Sequence, residues 1–229
     1  MNAEAVVAPR GCAQRIVLYG VGSPLVIDAE ESCARAGITI VAGVRNVDAP
    51  VYVTAAVRII TPGELTDAER ACAVLVVLFT PGHRRTAFED AFRAGFSQAA
   101  SVIDPTSTVA RSAVIGEGAY VNAGCVIAGA CRLGNRVIVN RSVSIGHHAR
   151  IGEYASIGPG AVLAGNVTVG RGAMIGAGTV VLPEVEIGDN AVIAAGSVVR
   201  RSVPPNTLAA GNPCRIAQTG IAGYKGIAV

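Results

Sequence analysis

Tryptophan is absent from these 229 residues and aromatics make up only 4% of them, so the core has to be aliphatic and narrow. Charged residues are also few, at 15%, and the net charge of +3 is spread over scattered arginines without a long basic run. That excludes the electrostatic footprint of a nucleic-acid binder. Mean hydropathy is +0.50, yet no stretch approaches the roughly eighteen consecutive apolar residues of a membrane span. The opening MNAEAVVAPRGCAQR lacks a signal-peptide core, and the expected location is the cytoplasm. The six cysteines (Cys12, Cys33, Cys72, Cys125, Cys131 and Cys214) show no CxxC or histidine-linked metal spacing, so reduced thiols and no metal are expected.

What the chain has instead is glycine, 28 residues of it, and a period. Stepping six residues at a time from Ile103 to Val199 meets a branched aliphatic at every step, among them Val121, Ile145, Leu163 and Ile187. Two residues before each aliphatic stands a mostly small residue, such as Ala119, Cys125, Cys131, Ala161 or Thr179. Strand side chains alternate with period two, so both positions point to one side of a short strand, and Cys125 and Cys131 read as small core fillers. Directly after the aliphatic come Gly116, Gly134, Gly146, Gly158 and others, with Asn122 and Asn140 at two further steps. These residues tolerate positive φ, which places the turns there. Three hexads then make one triangular coil of 18 residues, and roughly five coils fit between Ser101 and Ser202.

Ahead of the repeat the texture differs. RIVLYGVG, ITIVAGV and AVLVVLF read as strands, and PLVIDAEESCARAG and RRTAFEDAFRAG as helices, which implies a small parallel, Rossmann-like βαβ domain. The expected division is a βαβ domain over 1–100, a β-helix over 101–203 and a tail over 204–229 that starts at Pro204 and Pro205. His83, with Arg84 and Arg85 in TPGHRRTAF, reads as a solvated helix start.

Two of the three histidines, His147 and His148, are adjacent in the hexad IGHHAR. A stacking step of 18 residues sets His147 between Gly129 and Gly165, an outward imidazole in a column otherwise without side chains. His148 stacks between Ala130 and Asn166. Imidazole exchanges protons near neutral pH, so His147 is a candidate general base. It is also readable as a polar surface residue on a corner. Adjacent strand residues point to opposite sides, which argues against a metal held by the pair.

These residues resemble a known family: the sugar acyltransferases that join an N-terminal βαβ domain to a C-terminal left-handed parallel β-helix, of the sialic-acid O-acetyltransferase and UDP-4-amino-sugar N-acetyltransferase type. The resemblance runs from about Arg15 to Ile216 and rests on VIDPTSTVA, NRSVSIGHHARIGEYASIGPGAVLAGNVTVG, IGAGTVVLPEVEIG, IAAGSVV and GNPCRI. It implies a homotrimer with acetyl-CoA as co-substrate and a sugar or sugar nucleotide as acceptor. It matches His147 to the catalytic base and Asn140 to an asparagine near the acceptor, with a left-handed corner as the alternative for Asn140. It matches Gly165 to a backbone N–H for the thioester oxygen. Ala195, Gly211, Asn212, Pro213 and Arg215 match the coenzyme A contacts, where Arg215 would meet a phosphate.

The chain departs from that family at several points. Relatives carry Asp or Glu after the base where this chain has His148, which the resemblance places beside the acceptor. Ser156 stands where amino-sugar relatives often have a second histidine. The first turn reads Gly20-Val21-Gly22-Ser23-Pro24 in place of Gly-x-Gly-Gly-His. Gly20 and Gly22 still allow a phosphate to approach a helix N-terminus, or serve only to shape the turn. The expected activity is acetyl transfer from acetyl-CoA to a sugar amine or hydroxyl. The alternatives are an acyltransferase for a non-sugar acceptor and a non-catalytic trimeric scaffold or sensor.

Overall fold

The computed structural model describes residues 15–229, so Cys12 and the opening segment lie outside the described residues. The first region runs β1 (Arg15–Tyr19), α1 (Val26–Ala36), β2 (Thr39–Val44), β3 (Ile59–Ile60), α2 (Asp67–Arg70), β4 (Ala73–Leu75) and α3 (Pro81–Arg93). Its four strands form one parallel sheet in the order β3-β2-β1-β4. The βαβ texture expected from the sequence is there; β3 and α2 are additions, two and four residues long and too short to show a period. In α1 the buried Val26, Ala29, Ser32 and Cys33 share one helical face, and Gly37 ends the helix at φ 69°, its N–H donating to the Ala34 carbonyl.

From Val102 to Val199 the chain is a left-handed parallel β-helix of two-residue strands on three faces. The first face includes Tyr120–Val121, Ile138–Val139 and Ser156–Ile157; the second Ser144–Ile145 and Val162–Leu163; the third Arg132–Leu133 and Arg150–Ile151. Successive coils pair in parallel at a strict step of 18 residues, as in Ser144 with Val162 and Arg132 with Arg150. Inside, the aliphatic ladder is continuous and buried: Val121, Ile127, Val139, Ile145, Ile157, Leu163 and Ile175 lie in one cluster with the small residues before them. Each such side chain contributes about 1.5–3 kcal/mol on leaving water. Cys125 and Cys131 are fillers in this column, their thiols donating to the carbonyls of Asn140 and Gly146 at 3.0 Å.

One expectation is corrected. The glycines directly after each aliphatic do not have positive φ; that conformation falls two residues later, at Gly118, Gly124, Ala130, Ser142, His148, Gly160 and Asn166 among others. The glycines are required because the next coil presses on them. A Cβ on Gly146 would stand 2.6 Å from the Ala164 carbonyl carbon, and one on Gly176 2.4 Å from the Ala195 nitrogen. Asn122 and Asn140 are likewise outside the left-handed region; both are buried.

The first region covers the first face at both edges. On one side, Asp104 accepts from Ser32 (2.6 Å) and Arg35 (2.7 Å), and Ser32 also pairs with the Tyr120 hydroxyl. On the other, Phe88 and Phe92 of α3 flank the Arg136 guanidinium at 5.2 and 5.3 Å from their ring centres. Here a second expectation is corrected: Arg84 is not solvated but fully buried. Its guanidinium donates to the carbonyls of Leu78, Phe79, Arg136, Tyr154 and Ala155 and to the Ser156 hydroxyl. A fork of five N–H donors suits this cluster of acceptors as no other side chain would. His83, one position earlier, does face solvent.

Beyond the last coil, Thr207–Ala210 pairs in parallel with Val192–Ile193, and Arg215–Thr219 folds back on it antiparallel. The end of the chain then returns to the helix side, where Val229 N–H donates to Asn190 at 2.9 Å.

Candidate active site

His147 and His148 sit on the corner between the second and third faces, and both are exposed. The corner follows from the repeat: Ile145 is held inward, Gly146 yields to the next coil, and His148 takes the left-handed conformation at φ 60°. That conformation breaks strand alternation. The two rings therefore do not diverge; their Nδ1 atoms approach to 3.1 Å with the ring planes at 84°. The expectation that adjacent histidines point apart is thus corrected. Among the described residues no group of three His, Cys, Asp or Glu is placed to hold a metal ion.

The imidazole of His147 lies directly over Gly165. A Cβ there would fall 2.6 Å from Cε1 and 2.7 Å from Nε2 of the ring. The glycine column is therefore a space that the imidazole itself occupies on one side. On the other side, a Cβ on Gly129 would touch only the Ser112 hydroxyl, at 3.2 Å. The Gly165 carbonyl accepts from Glu184 N–H, while the Gly165 N–H has no acceptor among the described residues. With Nδ1 engaged by His148, the ring presents Nε2 and stands beside an unused backbone donor.

Asn140 is on the opposite edge of the second face, between the first and second faces. It is 8% exposed, and its carboxamide oxygen accepts from Arg141 N–H (2.8 Å) and from the Asn122 side chain (3.1 Å). Asn122 and Arg141 both reach Asp28 of α1, at 2.9 and 2.8 Å. Asn140 thus belongs to a polar cluster that ties α1 to the coils. It does not meet His147 within one chain. Gly20 and Gly22 lie in the turn between β1 and α1: Gly20 has φ 79° and donates to the Val44 carbonyl, and Gly22 is half-buried with Ala49 3.2 Å from where its Cβ would be. The Ser156 hydroxyl is buried and bonded to Arg84 and to the Phe79 carbonyl, so it is part of the seam between the two regions.

Ala195 is exposed on the same edge as Asn140, three coils further along. Gly211 (φ 102°), Asn212 and Pro213 form the turn that caps the second face: Val198 N–H donates to the Gly211 carbonyl, and Cys214 N–H to the Val198 carbonyl. Arg215 is exposed, and the one side-chain hydrogen bond it makes among the described residues goes to the neighbouring Cys214 carbonyl, leaving most of the guanidinium free. The cluster around Asp28 was not foreseen, although an 18-residue step already aligns Asp104, Asn122 and Asn140 in one column.

The pattern of the bacterial transferase hexapeptide (six repeats) matches residues 130–165 and 166–201, the coils that carry His147 and Gly165. Residues 130–201, about a third of the chain, carry the repeat of that family. Among solved structures it is similar to PerB from Caulobacter crescentus in complex with CoA and GDP-perosamine, at 29% identity and a TM-score of 0.78. That match covers 94% of this chain and 100% of the other. It is also similar to the acetyltransferase domain of PglB from Neisseria gonorrhoeae in complex with acetyl coenzyme A, at 26% identity and a TM-score of 0.79, covering 90% and 100%. WeeI from Acinetobacter baumannii, at 21% identity and a TM-score of 0.78 over 88% and 99%, shares the fold. A search of the curated proteins gives no match.

Proposed function

We propose that this chain transfers an acetyl group from acetyl-CoA to the amine of a nucleotide-linked amino sugar, with His147 as the general base. The observation that carries the reading is the ring of His147: exposed, held at Nδ1, and laid beside the unused N–H of Gly165. A base and a backbone donor side by side suit acyl transfer, which needs a proton removed and an oxyanion held. Likeness to a perosamine N-acetyltransferase solved with CoA and GDP-perosamine supports this donor and this acceptor class.

In this scheme His147 Nε2 takes a proton from the acceptor amine as its nitrogen attacks the thioester carbonyl. The developing oxyanion meets the Gly165 N–H, the C–S bond breaks, and the proton passes from His147 to the departing sulfur. Arg215, free at the turn that closes the second face, would meet a coenzyme A phosphate, with Ala195 and Gly211 to Pro213 along the donor. The βαβ region, over 1–100, would hold the acceptor through the Gly20 and Gly22 turn, the coils over 101–203 the chemistry, and 204–229 the donor end. A cytoplasmic location suits a reaction between acetyl-CoA and a sugar nucleotide.

We further propose a homotrimer. The outward residues of the second face include Val126, 48% exposed, and Val162, 42% exposed, an apolar strip that suits packing against another helix. The Asn140 edge and the His147 edge bound this same face, so packing it against a copy would bring the base of one chain towards the acceptor region of its neighbour. A panel of nucleotide-linked amino sugars incubated with acetyl-CoA, with thiol release and product mass recorded, tests the activity. His147→Ala should lower turnover by about 10²–10⁴-fold with the fold intact. Wild-type rates in that variant would remove the base from the scheme.

A further inference from the structure

We infer that His148 is the positioning residue of the base: its neutral Nδ1 accepts the Nδ1–H of His147 and so leaves His147 Nε2 unprotonated. The inference rests on the reading of His147 as general base. It starts from the 3.1 Å contact between the two Nδ1 atoms, since a hydrogen bond between two ring nitrogens contains one proton. If that proton belongs to His147, the His147 Nε2 has a lone pair and serves as a base. If it belongs to His148, the His147 Nε2 carries hydrogen and cannot. Once His147 has taken the acceptor's proton it must donate from Nδ1, and among the described residues His148 is the one acceptor it has. The bond then changes from neutral to charge-assisted, so it strengthens as the transition state is approached. An acidic side chain after the base would accept the same proton; here an uncharged ring does so.

Backbone geometry makes the role testable. His148 occupies a left-handed position at φ 60°, where glycine is at ease and asparagine is tolerated. His148→Gly therefore removes the acceptor without straining the corner. His148→Asn sets a carboxamide oxygen where the ring has Nδ1, because both atoms are bonded to Cγ.

The experiment has two arms. With nucleotide-linked 4-amino sugars and acetyl-CoA, His148→Gly should lower kcat about ten- to thirtyfold with both KM values and the melting temperature held, and His148→Asn should recover most of the loss. In the resting protein without substrate, ¹⁵N NMR of the imidazoles should show His147 with its proton on Nδ1, and on Nε2 in His148→Gly. Wild-type kcat in His148→Gly, equal losses in the Gly and Asn variants, or a wild-type His147 protonated on Nε2 would each overturn the inference. Those results with His147→Ala inactive leave the base in place; full activity in His147→Ala removes the base as well.

Discussion

The ring of His147 rests on the α-carbon of Gly165, one coil further along, so closely that a methyl group there would lie 2.6 Å from the ring. Gly165→Ala should therefore displace the imidazole and leave the coils intact, because the ring is exposed and free to swing outward. The expected outcome is a fall in kcat of about 10–100-fold with little change in melting temperature. Loss of folding instead would show the column to be structural. Gly129→Ala, whose neighbour is the Ser112 hydroxyl, is the milder control.

Arg84 holds the first region to the coils. Substituting Met for Arg84 would leave the carbonyls of Tyr154 and Arg136 without a donor and cost about 2–4 kcal/mol of stability. Arg84→Lys keeps the charge but not the fork, and should recover only part of this. Chemical denaturation of the two variants against wild type measures the difference.

Acid should loosen the other edge of the same seam. Burial alone would raise the Asp104 carboxyl, but hydrogen bonds from Arg35, Ser32 and Thr106 outweigh it and hold the group well below the ordinary carboxylate range. A carboxyl lowered on folding adds stability that is complete above its unfolded value and disappears as pH falls through the folded one. Melting temperature should therefore drop between about pH 4 and pH 2 more steeply in wild type than in Asp104→Asn, which is expected to be less stable at neutral pH.

The donor end can be tested without disturbing the fold. The Arg215 side chain is exposed and bonds only to the adjacent Cys214 carbonyl among the described residues, so Arg215→Ala should raise the KM for acetyl-CoA about three- to thirtyfold. The KM for the acceptor should hold. An equal rise for both substrates would argue against a donor role.

The repeat was legible because each six-residue step encodes one inward aliphatic, and the coils reproduce that ladder without insertion. The reason for the glycines was not, since close approach by a neighbouring coil and a positive φ select the same residue. His147 and its glycine column followed from the 18-residue step. Its contact with His148 did not, because alternation holds for strands and the pair sits on a corner whose second residue is left-handed. Arg84 was hidden for another reason: an arginine in the first turn of a polar helix reads as surface, and only the folded chain brings it the carbonyls of two distant coils.

The unbroken 18-residue register makes the helix a ruler. From the corner of His147 to the same corner at Arg201, just ahead of the turn at Gly211, the chain advances by whole coils, each about 4.8 Å along the axis. The separation between base and donor turn is therefore set in discrete increments. Excising one complete coil, residues 166–183, would shorten that span by one increment and keep every column aligned, whereas excising a single hexad would rotate all later columns to another face. A donor that reaches from the turn to the base should tolerate neither change, although only the second disturbs the stacking.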